Sequence, residues 1–391
     1  MSVVFILFYD AIGTSFMHFD IKETLRELNH KFKYISHEMK NFYIDKSVEE
    51  EVETELNSNS YDVVLTINFI PLIARICYKH DIPYKAWCYD APMNLVNDAC
   101  FEFPTNAVYT FDREDYMKYK RLGHDTVHLL NLATNTNRLN KIRPDYAKYG
   151  SDISFIGQLY ESNLSELKSH MDDFDRGYVE GIIAAQRRVY DKYFIPDVIN
   201  IALNRSVNKI YESQNEMSHG RQTLNFAVSS YLTEIDRLSL LRFASKIGKT
   251  RFYTLKISDK IKRLIPDVIV SGYLDYWKEF PVAVKSTSIN LCPILRNIKS
   301  GIPLRVLDIM GCGAFQLVSF QPELAESFTE GKDVVMYSSI EEANDKMKYY
   351  LQHEGERKHI AAAGYERVKN EYRFDKALRI ILGEEELPPQ P

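Results

Sequence analysis

The stretch Ser288–Phe320, SINLCPILRNIKSGIPLRVLDIMGCGAFQLVSF, contains two short apolar runs on either side of a helical segment. The first run is SINLC, which continues the preceding residues as STSINLC. The helical segment is LRVLDIMGC, and the second run is AFQLVSF. A strand, a helix and a second strand in succession are typical of sheets in which the strands run parallel. The stretch therefore predicts an α/β fold.

The same alternation extends outward through both halves of the chain. In the first half the apolar runs are SVVFILFY, YDVVLTI, PYKAWCY, AVYTF and TVHLL, and the helical stretches between them are IKETLRELNHKF, PLIARICYKH and REDYMKYKRLG. In the second half the further runs are SDISFIG, RFYTLKI, PDVIVSG and DVVMYSS. Two such halves in tandem predict a pair of Rossmann-like domains with largely parallel sheets and a cleft between them.

The length of 391 residues is too great for one compact core and suits two domains. A polar stretch containing Pro144 and Gly150 marks the predicted boundary. We predict an N-terminal domain over residues 1–145 and a C-terminal domain over residues 146–365 with a helical insertion at 159–218. Residues 366–391 are predicted to form a helix that crosses back to the N-terminal domain, followed by a disordered tail, EEELPPQP.

Composition and charge exclude several classes of partner. The net charge is -5 and no basic stripe is present, which argues against a nucleic-acid groove. The start, MSVVFILFYD, is typical of a first strand rather than a signal peptide, and no apolar run reaches transmembrane length. The five scattered cysteines are typical of reduced thiols. We therefore expect a cytoplasmic protein with no integral membrane segment.

Ligands of parallel α/β sheets bind beyond the ends of the strands, so polar residues at those positions are the first candidates. In the first half, Gly13 and Thr14 follow the first strand in a loop whose backbone N–H groups can meet an anion or sugar hydroxyls, although a simple turn explains them equally well. Asp90 follows PYKAWCY and is a candidate general base or hydroxyl ligand; the alternative is a local turn bond before Pro92. Asn68 is a similar, weaker candidate.

In the second half, Gly157 and the pair Gly272 and Tyr273 follow predicted strands. Arg305 lies at the start of the helix LRVLDIMGC, where a guanidinium beside free N–H groups suits a diphosphate. Asp308, one turn further along, can accept from the two hydroxyls of a ribose. The alternative for Arg305 is a surface salt bridge.

Two patterns suggest a metal but lie in unsuitable contexts. Asp173 and Asp175 have the Asp-x-Asp spacing that lets two carboxylates hold a manganese-bound diphosphate, yet they fall in a polar, helix-like insertion rather than after a strand. His124 and His128 are four residues apart in what the pattern indicates is a turn entering a strand, where that spacing does not make a metal pair. We expect no metal and no cofactor.

The chain resembles the CgeB-like (spore maturation protein) glycosyltransferases, and the resemblance covers most of its length. Besides Ser288–Phe320, the segments that carry it are YDVVLTINFIPLIARICYKHDIPYKAWCYDAP, AVYTFDREDYMKYKRLG, YGSDISFIGQLYESN, YSSIEEANDKMKYYL and ERKHIAAAGYERV. The resemblance implies a GT-B fold, metal-independent transfer, and a nucleotide-sugar seated on the C-terminal domain, with the N-terminal domain on the acceptor side.

The resemblance also implies roles for single residues on the donor side. Asp308 looks like the second acid of the Glu-x7-Glu element, whose first acid would fall on Ser300. The arginine and lysine that usually follow the first strand of the C-terminal domain are missing from GQLYES. Arg305 is therefore the first candidate for the phosphates and Lys285 the second.

Further donor-side residues follow from the same resemblance. Tyr273, after Gly272, matches the position that meets the nucleobase, and Tyr253 is expected in the same pocket. We also expect Asn290 and Gly313 on the donor side.

The predicted function is a glycosyltransferase that moves a sugar from a nucleotide-sugar, with UDP favoured, to a protein or glycan acceptor. Asp90 is the predicted catalytic residue: a base if the enzyme inverts, and a group that orients a sugar if it retains. Two alternatives stay open, a nucleotide-sugar 2-epimerase and a non-catalytic GT-B-like protein that is structural or binds nucleotide-sugars. Turnover of a donor distinguishes the three.

Overall fold

A computed structural model describes residues 4–11, 17–93, 95, 99–199 and 224–391. Contacts divide the chain into two compact units, and we describe each by itself. Unit 1 comprises Met1–Asn135, Gly301–Leu304 and Tyr372–Pro391, and unit 2 comprises Thr136–Ser300 and Arg305–Glu371. These contacts do not test whether either part folds alone, so the domain limits at residues 145 and 365 stay predictions.

Unit 1 contains one six-stranded sheet in the order β2-β1-β3-β4-β5-β6, with every neighbouring pair parallel. Its strands are β1 (Phe5–Asp10), β2 (Lys31–Ser36), β3 (Val63–Ile67), β4 (Tyr84–Cys88), β5 (Asn106–Thr110) and β6 (Val127–Leu129). Its first helices are α1 (His18–Glu27), α2 (Lys46–Ser58), α3 (Pro71–Lys79) and α4 (Arg113–Arg121), with a 3-10 turn at Ala99–Glu102.

Strand β2 is an element that the sequence analysis missed, because the predicted helix IKETLRELNHKF ran on into it. The structure ends α1 at Glu27. Asn29 has φ 59°, a left-handed conformation that asparagine tolerates and that commonly stops a helix. The following residues then form an edge strand whose side chains alternate between exposed and half-buried.

Unit 2 also contains one parallel six-stranded sheet, in the order β12-β11-β10-β7-β8-β9. Its strands are β7 (Ser151–Ile156), β8 (Thr250–Tyr253), β9 (Ile269–Ser271), β10 (Thr287–Cys292), β11 (Gln316–Ser319) and β12 (Val335–Tyr337). Its core includes Ile153, Phe252, Ile289 and Leu317, all buried between the sheet and its helices. The predicted α/β class with two parallel sheets is confirmed.

The helices of unit 2 lie between these strands and in the insertion. They are α5 (Thr136–Asn140), α6 (Tyr146–Tyr149), α7 (Leu164–Ser169), α8 (Asp173–Gln186), α9 (Ile195–Val198), α10 (Leu224–Ile247), α11 (Asp259–Lys262), α12 (Phe280–Lys285), α13 (Leu304–Gly311), α14 (Pro322–Ser327), α15 (Ile340–Gln352) and α16 (Glu354–Glu371).

The insertion between β7 and β8 has a small core of its own. Leu167, Val179, Val228 and Leu232 pack together there. Residues 200–218 of the predicted insertion lie outside the described residues. Helix α10 follows them, and its second half joins the main core of unit 2 through Leu240 and Ala244.

The C-terminal segment belongs to unit 1. Helix α17 (Phe374–Leu382) places the ring of Phe374 at 5.2 Å from that of Trp87 on β4. We expected the tail to be disordered, but the structure holds it against β6: the Gln390 amide accepts from the Leu129 N–H at 2.7 Å and donates to the Leu129 carbonyl at 3.1 Å. A side-chain amide can satisfy an edge strand as a backbone amide does.

Helix α16 provides a test of the packing in unit 2. A Cβ on Gly364 would lie 2.5 Å from the carbonyl oxygen of Asp333, whereas a Cβ on Gly355 would meet nothing within 4 Å. We expect Gly364→Ala to lower the free energy of unfolding by about 1 to 3 kcal/mol, since backbone must shift. Gly355→Ala, the matched control, should change it by less than about 1 kcal/mol. Urea unfolding followed by circular dichroism measures both; equal effects would contradict this packing.

Candidate functional site

The sheet of unit 2 has a topological switch point between β7 and β10. The chain proceeds from β7 to β8 and β9 on one side, and from β10 to β11 and β12 on the other. In open parallel sheets, ligands bind beyond the carboxyl ends of the two strands at such a point. We call residues 157–160, after β7, and residues 293–296, after β10, the switch-point loops.

Arg305 lies at this switch point. It is the second residue of α13, and its Nη1 donates to the carbonyl of Ile156, the last residue of β7, at 2.7 Å. Its guanidinium lies 4.9 Å from the ring centroid of Phe280. Within the described ranges Arg305 forms no ion pair with a carboxylate, so the alternative of a surface salt bridge does not describe it.

Arg237 is a second cation at the same place, and the sequence analysis missed it. Its side chain comes from α10 and is only 6% exposed. One nitrogen donates to the carbonyl of Gln158, and another donates to that of Pro293 at 2.8 Å. The guanidinium lies 5.1 Å from the rings of both Phe155 and Tyr160. Arg237 therefore joins the two switch-point loops.

Two positive charges lie at this site. Burial lowers the pKa of Arg237 to about 10, with Arg305 acting in the same direction, so Arg237 is charged at neutral pH. Burial raises the pKa of the Cys292 thiol, at the end of β10, to about 11, and both arginines oppose that rise. Neither arginine has a carboxylate partner among the residues that the structure describes. Arg237 is buried and Arg305 is half-buried. A buried cation without a counter-charge is costly, and an anion would relieve that cost.

One signal in the sequence could have found Arg237. Thr233, Arg237 and Leu241 are spaced four residues apart and form one buried row along α10. An arginine that a helix buries is rarely left without a polar partner. Arg237 lies beyond the predicted insertion at 159–218, and no candidate residue is predicted between that insertion and β8.

A buried ion pair fixes the second switch-point loop. Arg296 Nε lies 2.7 Å from a carboxylate oxygen of Asp236 on α10, and its Nη1 donates to the Val189 carbonyl at 3.0 Å. The Arg296 N–H donates to the hydroxyl of Thr233 at 3.3 Å, and its guanidinium lies 3.6 Å from the Tyr190 ring centroid. Burial raises the pKa of Asp236, and Arg296 opposes the rise. The insertion thus holds this loop in place.

Asp308 lies on α13, one turn after Arg305. Its carboxylate is 3% exposed and accepts a hydrogen bond from the Tyr276 hydroxyl at 2.6 Å. The Tyr276 ring in turn stacks on Phe280, which also supports Arg305. The structure therefore brings Asp308 and Arg305 to one place, while the ribose contact of Asp308 stays a prediction.

The predicted nucleobase residues lie after neighbouring strands. The Gly157 N–H donates to the Tyr253 carbonyl at 2.9 Å, which brings the ends of β7 and β8 together. The Tyr253 side chain is buried against Tyr149 and Leu274 and is part of the core. Tyr273, after Gly272, is 55% exposed and is the aromatic residue of this group that a base can reach.

The structure does not bring Lys285 or Gly313 to the switch point. Lys285 precedes β10 and Gly313 comes after α13, so both lie at the opposite, amino edge of the sheet, where they line a cavity of 760 Å³. Lys285 Nζ donates to the carbonyls of Leu139 at 2.7 Å and Ile142 at 3.0 Å. As placed, Lys285 stabilises backbone rather than meeting the ligand of Arg305.

The side chain of Asn290 is hydrogen-bonded inside the protein. It is 2% exposed, and its carbonyl oxygen accepts from the Ser154 hydroxyl on the neighbouring β7 at 3.2 Å. Its amide donates to the carbonyls of Val284 at 3.2 Å and Phe315 at 3.1 Å. These bonds use the oxygen and both amide protons inside the sheet.

In unit 1, two of the predicted residues lie side by side. Asn68, after β3, has φ 61°, and its side-chain oxygen accepts from the N–H groups of Tyr89 at 3.0 Å and Asp90 at 3.3 Å. Its amide donates to the Asp90 carboxylate at 2.8 Å. Asp90 is an exposed residue, and the bond from Asn68 orients its carboxylate. Gly13 and Thr14 lie outside the described residues.

Asp173 and Asp175 lie at the start of α8, as a helical insertion requires. The Asp172 carboxylate accepts from the Asp175 N–H at 2.8 Å as a helix cap, and Asp173 pairs with Arg176. No group of three potential metal ligands occurs among the described residues. Over the same residues, every helix is too short or too polar to cross a bilayer.

Lys285 gives a test of which edge carries the ligand. We expect Lys285→Met to lower the free energy of unfolding by about 1 to 3 kcal/mol, since two backbone carbonyls lose their donor. The dissociation constant for UDP should be unchanged in calorimetry. Lys348→Met, at an exposed lysine of unit 2, is the control. If Lys285→Met loses UDP binding and Lys348→Met does not, the prediction that Lys285 contacts the phosphates would be supported instead.

Comparison with known proteins places this geometry in context. Residues 256–383 match a family described as glycosyl transferase-like. Sucrose-phosphate synthase from Thermosynechococcus elongatus is similar in structure, with 9% identity, a TM-score of 0.59, and coverage of 97% of this chain and 98% of that one. No curated protein sequence matches the chain.

Two further solved structures share the fold. HepE from Anabaena, solved in complex with UDP and glucose, has 9% identity and a TM-score of 0.55, covering 97% of this chain and 99% of that one. A glycosyltransferase from Rickettsia africae has 12% identity and a TM-score of 0.55, covering 98% of both chains. The likeness confirms the predicted GT-B fold. Over residues 256–383 the chain is similar to the glycosyl transferase-like family.

Proposed function

We propose that the chain transfers a sugar from a nucleotide-sugar, with a UDP-sugar favoured, to a hydroxyl of a protein or glycan acceptor. The observation that carries the proposal is the position of Arg305: a guanidinium without a carboxylate partner in the described residues, at the switch point of the sheet and at the start of α13. The helix lies inside the segment that matches the glycosyl transferase-like family. A diphosphate is the anion that such a site suits.

The chemistry that we propose develops negative charge on the leaving diphosphate. The bond between the sugar anomeric carbon and the phosphate oxygen breaks, and a bond from the acceptor oxygen to that carbon forms. The N-terminal dipole of α13 and the Arg305 guanidinium would stabilise the charge as it appears. The proposal therefore assigns no role to a metal ion, and the nucleotide-sugar is a co-substrate rather than a cofactor.

Asp308 is proposed to hold the donor ribose. Its hydrogen bond from Tyr276 orients the carboxylate, and carboxylate oxygens accept hydrogen bonds from hydroxyl groups such as those of a ribose. The residue eight positions earlier is Ser300, which lacks the carboxylate that the resemblance would place there. Contacts to the sugar itself are therefore proposed to come from other groups.

Asp90 is proposed to act on the acceptor side. Asn68 donates to its carboxylate and leaves it exposed, which is the arrangement of an oriented base or hydroxyl ligand. If the reaction inverts the anomeric centre, Asp90 removes the acceptor proton. If it retains the configuration, Asp90 orients the sugar.

Two finer assignments belong to the same proposal. We propose a CgeB-like enzyme, supported by the segments that carry that resemblance, Ser288–Phe320 above all. We also propose that it acts in the cytoplasm, which its five unpaired cysteines support, since reduced thiols are typical of that compartment.

Donor turnover tests the proposal. We expect purified protein to release nucleoside diphosphate from one member of a panel of UDP-, GDP-, TDP- and CDP-sugars, with and without a chelator. Arg305→Ala and Asp308→Ala should each reduce that rate by about tenfold to a hundredfold, because each removes a charged hydrogen-bonding group. Arg242→Ala, at an exposed arginine of α10, is the control.

Three outcomes would contradict the transferase. Isomerisation of the donor sugar without transfer would indicate the epimerase. Binding without release would indicate a non-catalytic protein, and neither binding nor release would remove the donor site from the switch point.

Asp90 has a separate test. Asp90→Asn should reduce sugar transfer to an acceptor by about a hundredfold, the usual contribution of general acid-base catalysis, because the amide cannot take a proton. Slow hydrolysis of the donor should persist, since the donor contacts proposed above are all in unit 2. Product analysis by mass spectrometry separates the two reactions, with Asp125→Asn, an exposed carboxylate of unit 1, as the control. Equal loss of hydrolysis and transfer would remove Asp90 from the acceptor side.

A further inference from the structure

We infer that Arg237 is a positioning residue of the donor site, whose buried positive charge beneath the switch-point loops favours binding of the donor diphosphate. The inference rests on the function proposed above and deepens it, because it adds a cation from the insertion to a site otherwise built from the sheet and α13. It names the phosphates, rather than the base or the sugar, as the part of the donor that Arg237 serves.

The geometry ties Arg237 to the two loops that define the switch point. Its hydrogen bonds go to the carbonyls of Gln158 and Pro293, one residue from each loop. Gln158 is exposed while Arg237 is 6% exposed, so the guanidinium lies just beneath the surface that a ligand meets. Tyr160, in the same loop, has φ 60°, a conformation that bulky residues rarely adopt outside constrained sites.

Among the described residues, no carboxylate neutralises the charge of Arg237. Its Nε is buried and has no hydrogen-bond partner in the described structure. Two carbonyls and the faces of Phe155 and Tyr160 offer partial negative charge, but no carboxylate pairs with it over the described ranges. With Arg305 nearby, the local field is positive and favours a polyphosphate.

The neighbouring Arg296 shows what a purely structural arginine looks like here. Both arginines link α10 to the loop after β10. Arg296 does so with its charge neutralised by Asp236, and the pair is buried together. Arg237 makes a similar connection, but no carboxylate in the described part of the chain pairs with it. Both arginines connect α10 to the loop, so what distinguishes Arg237 is the positive charge that it adds at the switch point.

The position also accounts for the sequence of the loop after β7. GQLYES contains no arginine or lysine, and an anion at a helix N-terminus gains from a nearby cation. Arg237 delivers that cation from beneath the loop rather than from within it. The donor site would then depend on the insertion, which is remote in sequence from Arg305.

Nucleotide binding by Arg237 variants tests the inference. Calorimetry would measure dissociation constants of UDP and of uridine, which lacks phosphates, for the wild type, Arg237→Lys, Arg237→Gln and the control Arg242→Gln. We expect Arg237→Gln to raise the dissociation constant of UDP by about tenfold or more and to leave that of uridine unchanged, since the lost positive charge acts on the phosphates. Arg237→Lys, which keeps the charge, should bind UDP more tightly than Arg237→Gln.

The pair of variants separates charge from tethering. Glutamine keeps a hydrogen-bond donor without charge, and lysine keeps charge with a different donor geometry. Equal weakening of UDP and uridine in both variants, or an unchanged UDP constant, would overturn the inference. If circular dichroism shows that Arg237→Gln does not fold, Arg237→Lys decides alone. About tenfold weaker binding of UDP by Arg237→Lys, with the melting temperature of the variant unchanged, would contradict the role of charge.

Turnover measured on the same samples distinguishes this inference from the proposed function. Sugar transfer by the wild type with normal UDP binding in both variants would overturn the inference and leave the function standing. Phosphate-dependent UDP binding that Arg237→Gln removes, without sugar transfer by the wild type, would support the inference and contradict the function. Absence of both UDP and inorganic pyrophosphate binding by the wild type would overturn both.

Discussion

The site in unit 2 depends on two positive charges that the described protein does not neutralise. Arg237 and Arg305 come from different helices and donate to carbonyls at the ends of β7 and in the loops beyond β7 and β10. A parallel sheet opens at that point because its connections diverge there. Arg237 is buried and Arg305 is half-buried. Two like charges held close together are unfavourable unless an anion joins them, so the arrangement favours a ligand that carries phosphate.

The insertion contributes side chains to this arrangement. Helix α10 contributes Arg237 and Asp236 from adjacent positions, and Asp236 holds the loop after β10 through Arg296. The small core of the insertion fixes the helix from which both side chains project. A change in that core is therefore expected to reach the switch-point loops through packing, since interiors transmit displacement.

The amino-acid pattern alone predicts the fold class and the main elements. Alternating apolar runs and amphipathic helices indicate the order of strands, and the Ser288–Phe320 stretch became β10, α13 and β11 as predicted. The pattern also names candidate site residues, because the ends of elements can be located from it. Asn68 and Asp90 follow strands, and Arg305 and Asp308 lie near the start of a helix. The pattern failed at β2, an edge strand whose half-buried residues show a weak alternation, and at the tail, where one glutamine satisfies the edge of β6.

Which cations meet depends on the packing of the folded chain. Lys285 and Arg305 are both near β10 in sequence, but Lys285 precedes the strand and Arg305 comes after it, so the two residues lie at opposite edges of a parallel sheet. Arg237 is far from both in sequence and reaches the switch point because α10 packs across the sheet. Local pattern cannot encode such a contact, since periodicity fixes which face of a helix is buried but not the partner that it meets.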